Sequence, residues 1–264
     1  MRKRVTKVKI TKWAIILGGA TCLEIVARAG MVRRATLIPV SEMFIRLWKF
    51  AVTGEIPARF LKDSSIAGNF FMTFAEILLS FSLAVLVGLP VGILLWKFKT
   101  LARILNPYLI SYYAIPIFAL YPLFVALFGV GMFSIVLMGW LFAVVAIIIN
   151  TDTGFQKVDK EIYPKVGRSL GLSRSEMFLW IYFPAATPYI FTGLKLGFIY
   201  SLIGVIASEF IISTRGLGHL VSFSYSAFDT ENMYASMLLI ILIAVFINGL
   251  LLRMEAWIYG RRGR

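Results

Sequence analysis

Apolar residues occur along most of this chain in runs that are long enough to cross a lipid bilayer. A membrane-spanning helix needs roughly 20 mostly apolar residues, and the pattern predicts six such helices. Their predicted ranges are 13–30, 70–96, 104–128, 131–151, 186–212 and 233–252. The composition agrees with this pattern, because 59% of the 264 residues are hydrophobic and only 15% are charged. We therefore expect an all-α integral membrane protein with one membrane domain, residues 13–252.

The first predicted span, "WAIILGGATCLEIVARAG", is the weakest of the six because it contains Glu24 and Arg28. The two residues are four apart, so on a helix they share a face and partly neutralise each other. A basic start, a short apolar core and "ARA" before Gly30 also resemble a cleavable signal peptide. We favour an uncleaved helix, because an acid and an arginine so near the end suit cleavage poorly.

Lysine and arginine are concentrated in four places: residues 1–12, the loop after the second span, the loop 152–185 and the tail 253–264. Basic loops stay on the cytoplasmic side of a membrane, so both termini and the loop 152–185 are predicted to be cytoplasmic. The net charge of +14 then reflects loops that face anionic lipid. No basic stripe with aromatic spacing appears, which argues against nucleic acid as a partner.

Two segments on the other side are too polar to span. The first, "PVSEMFIRLWKFAV", predicts a helix at the membrane surface with Ser41 as its N-cap. Its predicted apolar face holds Met43, Leu47 and Phe50. The second segment, residues 213–232, is rich in Gly and Ser and predicts a loop or a short re-entrant turn.

The loop 152–185 contains several signals of ordered structure. Ser173 and Glu176 have the spacing of a capping box, which begins a helix. Gly171, just before them, suits the left-handed conformation that ends a helix. Pro184 lies where the fifth span begins. The sequence therefore predicts a helix, a glycine elbow and a second helix. Long structured loops are usually functional. The alternative is an ordinary connector between two spans.

The same loop resembles a signature of the permease subunits of ATP-binding-cassette (ABC) importers. In that family Glu-Ala-Ala is followed by three residues, Gly, nine residues, Ile, one residue and Leu-Pro. The matching positions here are Lys165, Val166, Gly167, Gly171, Ile181, Phe183 and Pro184. The spacing is the same, but Lys165 stands in place of the glutamate, Val166 and Gly167 replace the alanines, and Phe183 replaces the leucine.

The resemblance extends along the chain and is strongest to the nitrate, sulfonate and taurine permeases. The stretches that carry it, in the family's order, include "GLPVGILLWKFKTLARILNPYL", "IPIFALYPLFVALFGVGMFS", "RSLGLSRSEMFLWIYFPAATPYIFTGLK" and "ASEFIISTRGLGHL". One departure is Glu76, at a position where these permeases commonly carry Arg. The resemblance implies the six-helix fold of type I ABC importer permeases in the inner, cytoplasmic membrane.

It also implies the partners. Such permeases form dimers in membrane lipid and receive solute from an external binding protein. For this chain we expect a homodimer. Each cytoplasmic elbow docks on one subunit of an ATPase dimer. The coupling residues implied here are Lys165, Val166, Gly167, Gly171, Ser173, Glu176, Phe178, Ile181 and Pro184. The chain has no G-x-x-x-x-G-K-[ST] motif, so no cofactor is expected on it directly, and ATP with Mg would be bound by the ATPase.

The implied solute is small and polar or anionic: nitrate-, sulfonate- or taurine-like, or an aromatic acid or vitamin precursor. Charged residues inside spans are candidates for its path, which points to Glu76 and Glu209. Glu209 matches the acidic residue that the family places before its Gly-Leu-Gly turn. Pairing with Lys195 or Arg215, or lining a gate, are the alternatives for it.

The third span supplies further candidates for the path or gate, namely Tyr112, Tyr113 and Pro116. Prolines free backbone carbonyls that can line a cavity, although simple kinking is the alternative. Glycines 88, 92, 193, 197 and 204 are instead predicted to be close contacts between helices. Two arrangements are considered for the side chains of Met177, Phe178 and Trp180. They are burial in a groove of the ATPase and packing beneath the loop's own helices.

No enzyme activity and no metal site is predicted, because the chain has one cysteine and one histidine and no catalytic grouping. Two other functions are considered. A secondary transporter driven by an ion gradient would show two related halves or carboxylates at mid-membrane. A membrane scaffold that transports nothing would leave the ordered loop 152–185 without a role.

Overall fold

The computed structural model describes residues 2–34, 36–54, 65–160 and 163–260, and these residues are almost entirely helical. Met1 and the last four residues of the predicted tail 253–264 lie outside the described part. The helices are α1 (Arg2–Arg28), α2 (Val40–Thr53), α3 (Ile66–Lys97), α4 (Lys99–Tyr112), α5 (Tyr121–Phe128), α6 (Met132–Asp159), α7 (Tyr163–Ser169), α8 (Arg174–Glu176), α9 (Phe183–Ile211), α10 (Leu217–Ser226) and α11 (Thr230–Gly260). A 3₁₀ turn, Ile117–Leu120, precedes α5, and a π-helical turn, Met177–Tyr182, precedes α9.

Four helical segments in the described residues are long and apolar enough to cross a membrane: α3, α6, Arg174–Ile211 and Thr230–Ala256. A fifth candidate is broken, because α4 and the segment Ile117–Phe128 meet at a bend of 88°. The single span expected over 104–128 is therefore two helical pieces. The break lies before Pro116, which has no N–H to donate and disfavours a helical residue before it.

Residues 13–28 of the first predicted span lie in α1, which ends two residues earlier than predicted, and the role of this span as a membrane crossing stays a prediction. The charged pair inside it forms as expected, since Arg28 Nε lies 2.6 Å from Glu24 Oε1. Ser41, however, is not an N-cap. The residue that precedes α2 is Pro39, and Ser41 instead donates its hydroxyl to Glu24 at 2.7 Å and its backbone N–H to the same carboxylate at 3.0 Å. Ser41 is thus bonded to a carboxylate on α1 and does not cap α2.

The second polar segment contains more structure than the loop predicted over 213–232. Residues Leu217–Ser226 form α10, because Leu217 and Leu220 supply an apolar face that packs with Phe50 of α2 and Ala235 of α11. Phe50 is buried. The helix α2 is therefore part of the bundle as well as a surface element.

The centre of the bundle is α6, which packs along α3 on one side and α9 on the other. Glycines allow the close approach, as predicted. An added Cβ at Gly88 or Gly197 would lie within 2.8 Å of Ile147, and one at Gly193 would lie 2.8 Å from Asn150. The remaining two contacts are Gly92 with Thr151 and Gly204 with Gly139. Small residues at such contacts let membrane helices pack backbone to backbone.

A substitution at one of these glycines should therefore destabilise the bundle. In Gly92→Ala, the new methyl group would meet the Thr151 side chain at 2.6 Å and the Ile148 carbonyl oxygen at 2.9 Å. We expect a loss of about 1–3 kcal/mol of unfolding free energy, measured by denaturant unfolding of the detergent-purified protein. The matched control is Gly249→Ala, also within a helix but with nothing within 4 Å of the added carbon. An equal loss in both variants would contradict this account.

Candidate functional site

The elbow predicted in the loop 152–185 forms through local hydrogen bonds. Gly171 has φ +74°, the left-handed conformation that glycine adopts readily. Its N–H donates to the Arg168 carbonyl at 3.1 Å, and the Leu172 N–H donates to the Gly167 carbonyl at 3.2 Å. These two bonds make up a Schellman motif, which ends α7 in a defined direction.

The capping box that begins the next helix is also present. The Glu176 N–H donates to Ser173 Oγ at 3.4 Å, and the Ser173 N–H donates to Glu176 Oε2 at 2.8 Å. Hydrogen bonds from the Ser173 side chain and backbone lower the pKa of the Glu176 carboxyl. The elbow is thus fixed on both sides of Gly171. We call residues 163–184 the coupling segment, after the role that the family resemblance implies for them.

Aromatic rings anchor the coupling segment to the bundle. Phe178 stacks on Phe155 of α6, with ring centroids 5.8 Å apart, and Trp96 of α3 lies 4.8 Å from Phe155 and 6.3 Å from Phe178. The Trp96 indole donates to Asp159 at 2.7 Å. Met177 is buried, and an added Cβ at Gly167 would meet it. Met177 and Phe178 therefore pack within the chain, which decides between the two packing arrangements left open for them.

Other apolar side chains of the coupling segment are exposed. Trp180, Leu170 and Leu179 are 76%, 73% and 61% exposed. Lys165 and Val166 are exposed as well, Gly167 is buried, and Ile181 and Pro184 are half-buried. A cavity of about 760 Å³ lies between this segment and the end of α3. Its cationic lining residues are Lys97, Arg168 and Arg174.

A second group of predicted residues lies inside the bundle. Glu76 of α3 and Glu209 of α9 are 1% and 0% exposed, and their carboxyl groups are neighbours. Glu209 also accepts hydrogen bonds from Thr73 Oγ1 at 2.6 Å and from the Gly218 N–H at 2.8 Å. Of the alternatives considered for Glu209, Lys195 is paired elsewhere, since its Nζ lies 2.6 Å from Glu255 Oε2 on α11.

The same cluster holds the start of α10. The Gly216 N–H donates to Asn69 Oδ1 at 2.6 Å, and the Leu217 N–H donates to Thr73 Oγ1 at 2.9 Å. Gly216 has φ +105°, and the Glu209 carboxylate occupies the space that a side chain there would need. Neighbouring helices thus satisfy N–H groups that have no partner within α10 itself. We call Asn69, Thr73, Glu76, Glu209 and the turn 216–218 the buried polar cluster.

Asn69 and Thr73 were missed by the sequence analysis. They precede Glu76 at helical spacing, so that all three lie on one face of α3. This polar stripe in an apolar helix is the signal by which the sequence analysis could have found them. The other pathway candidates lie at the bend. Tyr112 donates to the Leu141 carbonyl at 2.8 Å, Tyr113 is exposed, and Pro116 precedes the 3₁₀ turn. These three do not take part in the hydrogen bonds of the buried polar cluster.

Comparison with known proteins identifies the family of this chain. Residues 84–264 match the family described as the binding-protein-dependent transport system inner membrane component. The chain belongs to this family. It is a permease subunit of an ABC importer, a multi-pass protein of the cytoplasmic membrane that acts as a transport component and not as an enzyme.

Similar permeases have named solutes. The nitrate import permease protein NrtB of Synechocystis sp. is 34% identical over 190 residues, which cover 72% of this chain and 67% of that protein. The taurine transport system permease protein TauC of Escherichia coli is 29% identical over 81% of this chain and 78% of its own length. The osmoprotectant import permease protein OsmW of Salmonella typhimurium is 30% identical over 67% of this chain and 84% of its own length.

The solved structures support the fold. Inward-facing conformations of the MetNI methionine ABC transporter contain a chain that superposes with a TM-score of 0.63, covering 73% of this chain and 95% of that one. The sequence identity is 16%, so this likeness shows the type I importer permease fold alone. The matched family range includes the coupling segment and Glu209, whereas Asn69, Thr73 and Glu76 precede it.

The buried polar cluster predicts the effect of a conservative change in this permease. In Thr73→Val the shape is kept, but the Leu217 N–H loses its acceptor and Glu209 loses a donor. A buried group left without a partner costs about 1–3 kcal/mol, and we expect a loss of that order in unfolding experiments.

The control for this variant is Thr21→Val. The Thr21 hydroxyl is exposed and donates to carbonyls of its own helix, those of Leu17 and Gly18, so its removal should change stability little. A Thr73→Val protein as stable as the unaltered permease would show that the cluster does not hold α10.

Proposed function

We propose that two copies of this permease form the membrane domain of an importer, that each coupling segment docks on one subunit of an ATPase dimer, and that an external binding protein delivers the solute. The observation that carries the proposal is the coupling segment itself: an exposed apolar face on an elbow that is fixed by a Schellman motif, a capping box and aromatic packing. An apolar surface of this kind suits a protein partner.

The charges of this face suggest what the ATPase groove contains. Lys165, Arg168 and Arg174 are exposed, and Lys165 stands where related permeases have glutamate. Glu176 is tied to Ser173 within the capping box. A groove that accepts Trp180 and carries acidic side chains at its rim would be complementary to this surface.

The proposed mechanism uses the rigidity of the elbow. ATP and Mg bind to the ATPase, whose closure brings its two subunits together. Each coupling segment then moves as a rigid body, because Phe178 is stacked against Phe155 and Trp96 rather than held by a loose loop. That motion is passed to α3, α6 and α9, and the spans change between inward-open and outward-open arrangements.

The proposed solute is small and polar or anionic, in keeping with the nitrate and taurine permeases that are similar to this chain. An aromatic acid or a vitamin precursor fits the same description. Glu76 and Glu209 are buried in this conformation, so we place neither in direct contact with solute. The binding protein is expected to set the specificity.

The proposal is tested by purifying the tagged permease in mild detergent after expression with its neighbouring genes. We expect an ATPase to co-purify in equal amount and to hydrolyse ATP, and we expect both the association and the hydrolysis to be lost when Trp180 and Leu179 are changed to Ser. A control pair of exposed apolar residues on another helix, Phe246 and Val245 of α11, should leave the association intact.

A permease that purifies as a folded protein without any ATPase would contradict the proposal. Uptake that continues with the ATPase inactivated but stops when the ion gradient is collapsed would favour a secondary transporter instead. Absence of any uptake together with an unaffected ATPase would favour a scaffold.

The elbow geometry gives a prediction for coupling. Gly171→Val forces a β-branched residue into the left-handed conformation, at a cost of about 1–2 kcal/mol. No packing clash accompanies this strain, because nothing lies within 4 Å of the added carbon. We expect a folded permease whose complex hydrolyses ATP but takes up little solute, measured in proteoliposomes that contain the binding protein.

The matched control is Gly171→Asn, because asparagine adopts the left-handed conformation more easily than other residues with a side chain. Coupling should largely survive in that variant. Normal uptake by Gly171→Val would show that the direction of the elbow does not matter.

A further inference from the structure

The two carboxyl groups of the buried polar cluster present a problem of hydrogen-bond chemistry. Glu76 Oε2 is buried and accepts no hydrogen bond from any donor in the described part of the chain. The carboxyl group of Glu209 neighbours it, since Thr73, one helical turn before Glu76 on α3, donates to Glu209 Oε1 at 2.6 Å. An ionised carboxylate can only accept hydrogen bonds, so two ionised groups would repel each other at this distance.

The bonds of Glu209 identify which group keeps its charge. Its two oxygens accept from Thr73 and from the Gly218 N–H, and the N-terminus of α10, to which Gly218 belongs, favours negative charge. Glu76 has no comparable donors, since the hydroxyl next to it on α3, Ser80 Oγ, donates to the backbone carbonyls of Glu76 and Val136. The proton of the pair therefore belongs on Glu76, and the ionised Glu209 accepts the hydrogen bond from it.

We propose that Glu76 and Glu209 form a proton-binding site, in which the acid of Glu76 donates a hydrogen bond to the carboxylate of Glu209 and so keeps the turn 216–218 seated between α3 and α9. The unpartnered, buried Glu76 oxygen carries this inference together with the contact between the two carboxyl groups. In this site a proton supplies the positive charge that would otherwise have to come from a basic side chain.

The site fits a proton better than a metal ion or a solute. Among the described residues no third His, Cys, Asp or Glu side chain joins these two carboxyl groups in a metal-binding arrangement, and two carboxylates alone are few ligands for a metal ion. The adjoining cavity beside Thr73 and Ile77 has a volume of only about 10 Å³. Tyr121 packs against Ile77 and donates its hydroxyl to the Ile212 carbonyl at 2.7 Å, so this side of the pair is closed as well.

The consequence concerns the chain segment that follows α9. The same Glu209 carboxylate that receives the proton also fills the space beside Gly216 and binds Gly218. Loss of the proton would place two negative charges in contact in a medium of low dielectric, where their repulsion is strong. The turn 216–218 and α10 are thus held in place only while one proton is bound.

The test is infrared spectroscopy of the full-length permease, purified in detergent at neutral pH without its partners. We expect the C=O stretching band of a protonated carboxylic acid. That band should shift when the protein carries ¹³C in the glutamate side-chain carboxyl, which distinguishes glutamate from the buried Asp152. It should be absent from Glu76→Gln and present in Glu255→Gln, since Glu255 is ion-paired with Lys195.

Stability supplies a second readout that does not depend on assigning the band. Glu76→Gln keeps a donor toward Glu209 and should keep the unfolding temperature of the unaltered protein. Glu76→Leu has a similar size but no donor, and its unfolding temperature should be lower. Equal temperatures for the two variants would show that the hydrogen bond holds nothing in place.

Three spectroscopic results would overturn the proposal. They are the absence of an acid band from the folded protein, its persistence in Glu76→Gln, and its loss when sodium or potassium replaces choline in the buffer, which would mean that a metal ion occupies the site. None of these measurements involves the ATPase or the solute. Failure of the transport proposal and failure of this one are therefore distinguishable.

Discussion

The contact of α6 with α3 and α9 is the constraint on which the rest of this structure depends. Apolar helices in a bilayer gain little from meeting one another, because lipid tails are as apolar as leucine. Close packing must therefore hold them together, and Gly92 and Gly193 allow it by bringing the backbones of α3 and α9 against Thr151 and Asn150 of α6. Both functional groupings are built on this three-helix core.

Each grouping uses a different end of the core. The coupling segment rests on Phe155 of α6 and Trp96 of α3, near the end of α3, whereas the buried polar cluster joins the start of α3 to the end of α9. Trp96 and Glu76 are 20 positions apart on one helix, a distance of roughly 30 Å at 1.5 Å per residue. A rigid tilt of α3 thus affects both groupings at once.

The features that were predictable from sequence are those whose causes are local. Gly171, Ser173 and Glu176 specify the elbow within six residues, and the structure has both the left-handed glycine and the capping box. The glycine contacts were predictable because a small residue in an apolar helix has few other roles. Pro116 indicated a disturbance in the third span, but the size of the bend depends on packing that no short stretch of sequence specifies.

The features that were missed depend on contacts between distant residues. Ser41 has the chemistry of an N-cap, yet Glu24, 17 residues earlier, binds it instead. Asn69 and Thr73 meet residues 147 and 144 positions later, so nothing near them in the sequence indicates that they hold α10. Lys195, an alternative considered for Glu209, is likewise paired with a distant residue, Glu255.

The position of Glu76 shows how these two kinds of constraint act together. The local sequence places Glu76 inside an apolar helix, where an unpaired charge would cost several kcal/mol. The tertiary structure places that acid against Glu209, whose own charge is already held by Thr73 and the Gly218 N–H. The cluster then satisfies every group only when the pair carries a single negative charge. In the proposed arrangement a shared proton takes the place of a basic partner for the two acids, while Asn69, Thr73 and Glu209 make the backbone contacts that fix α10.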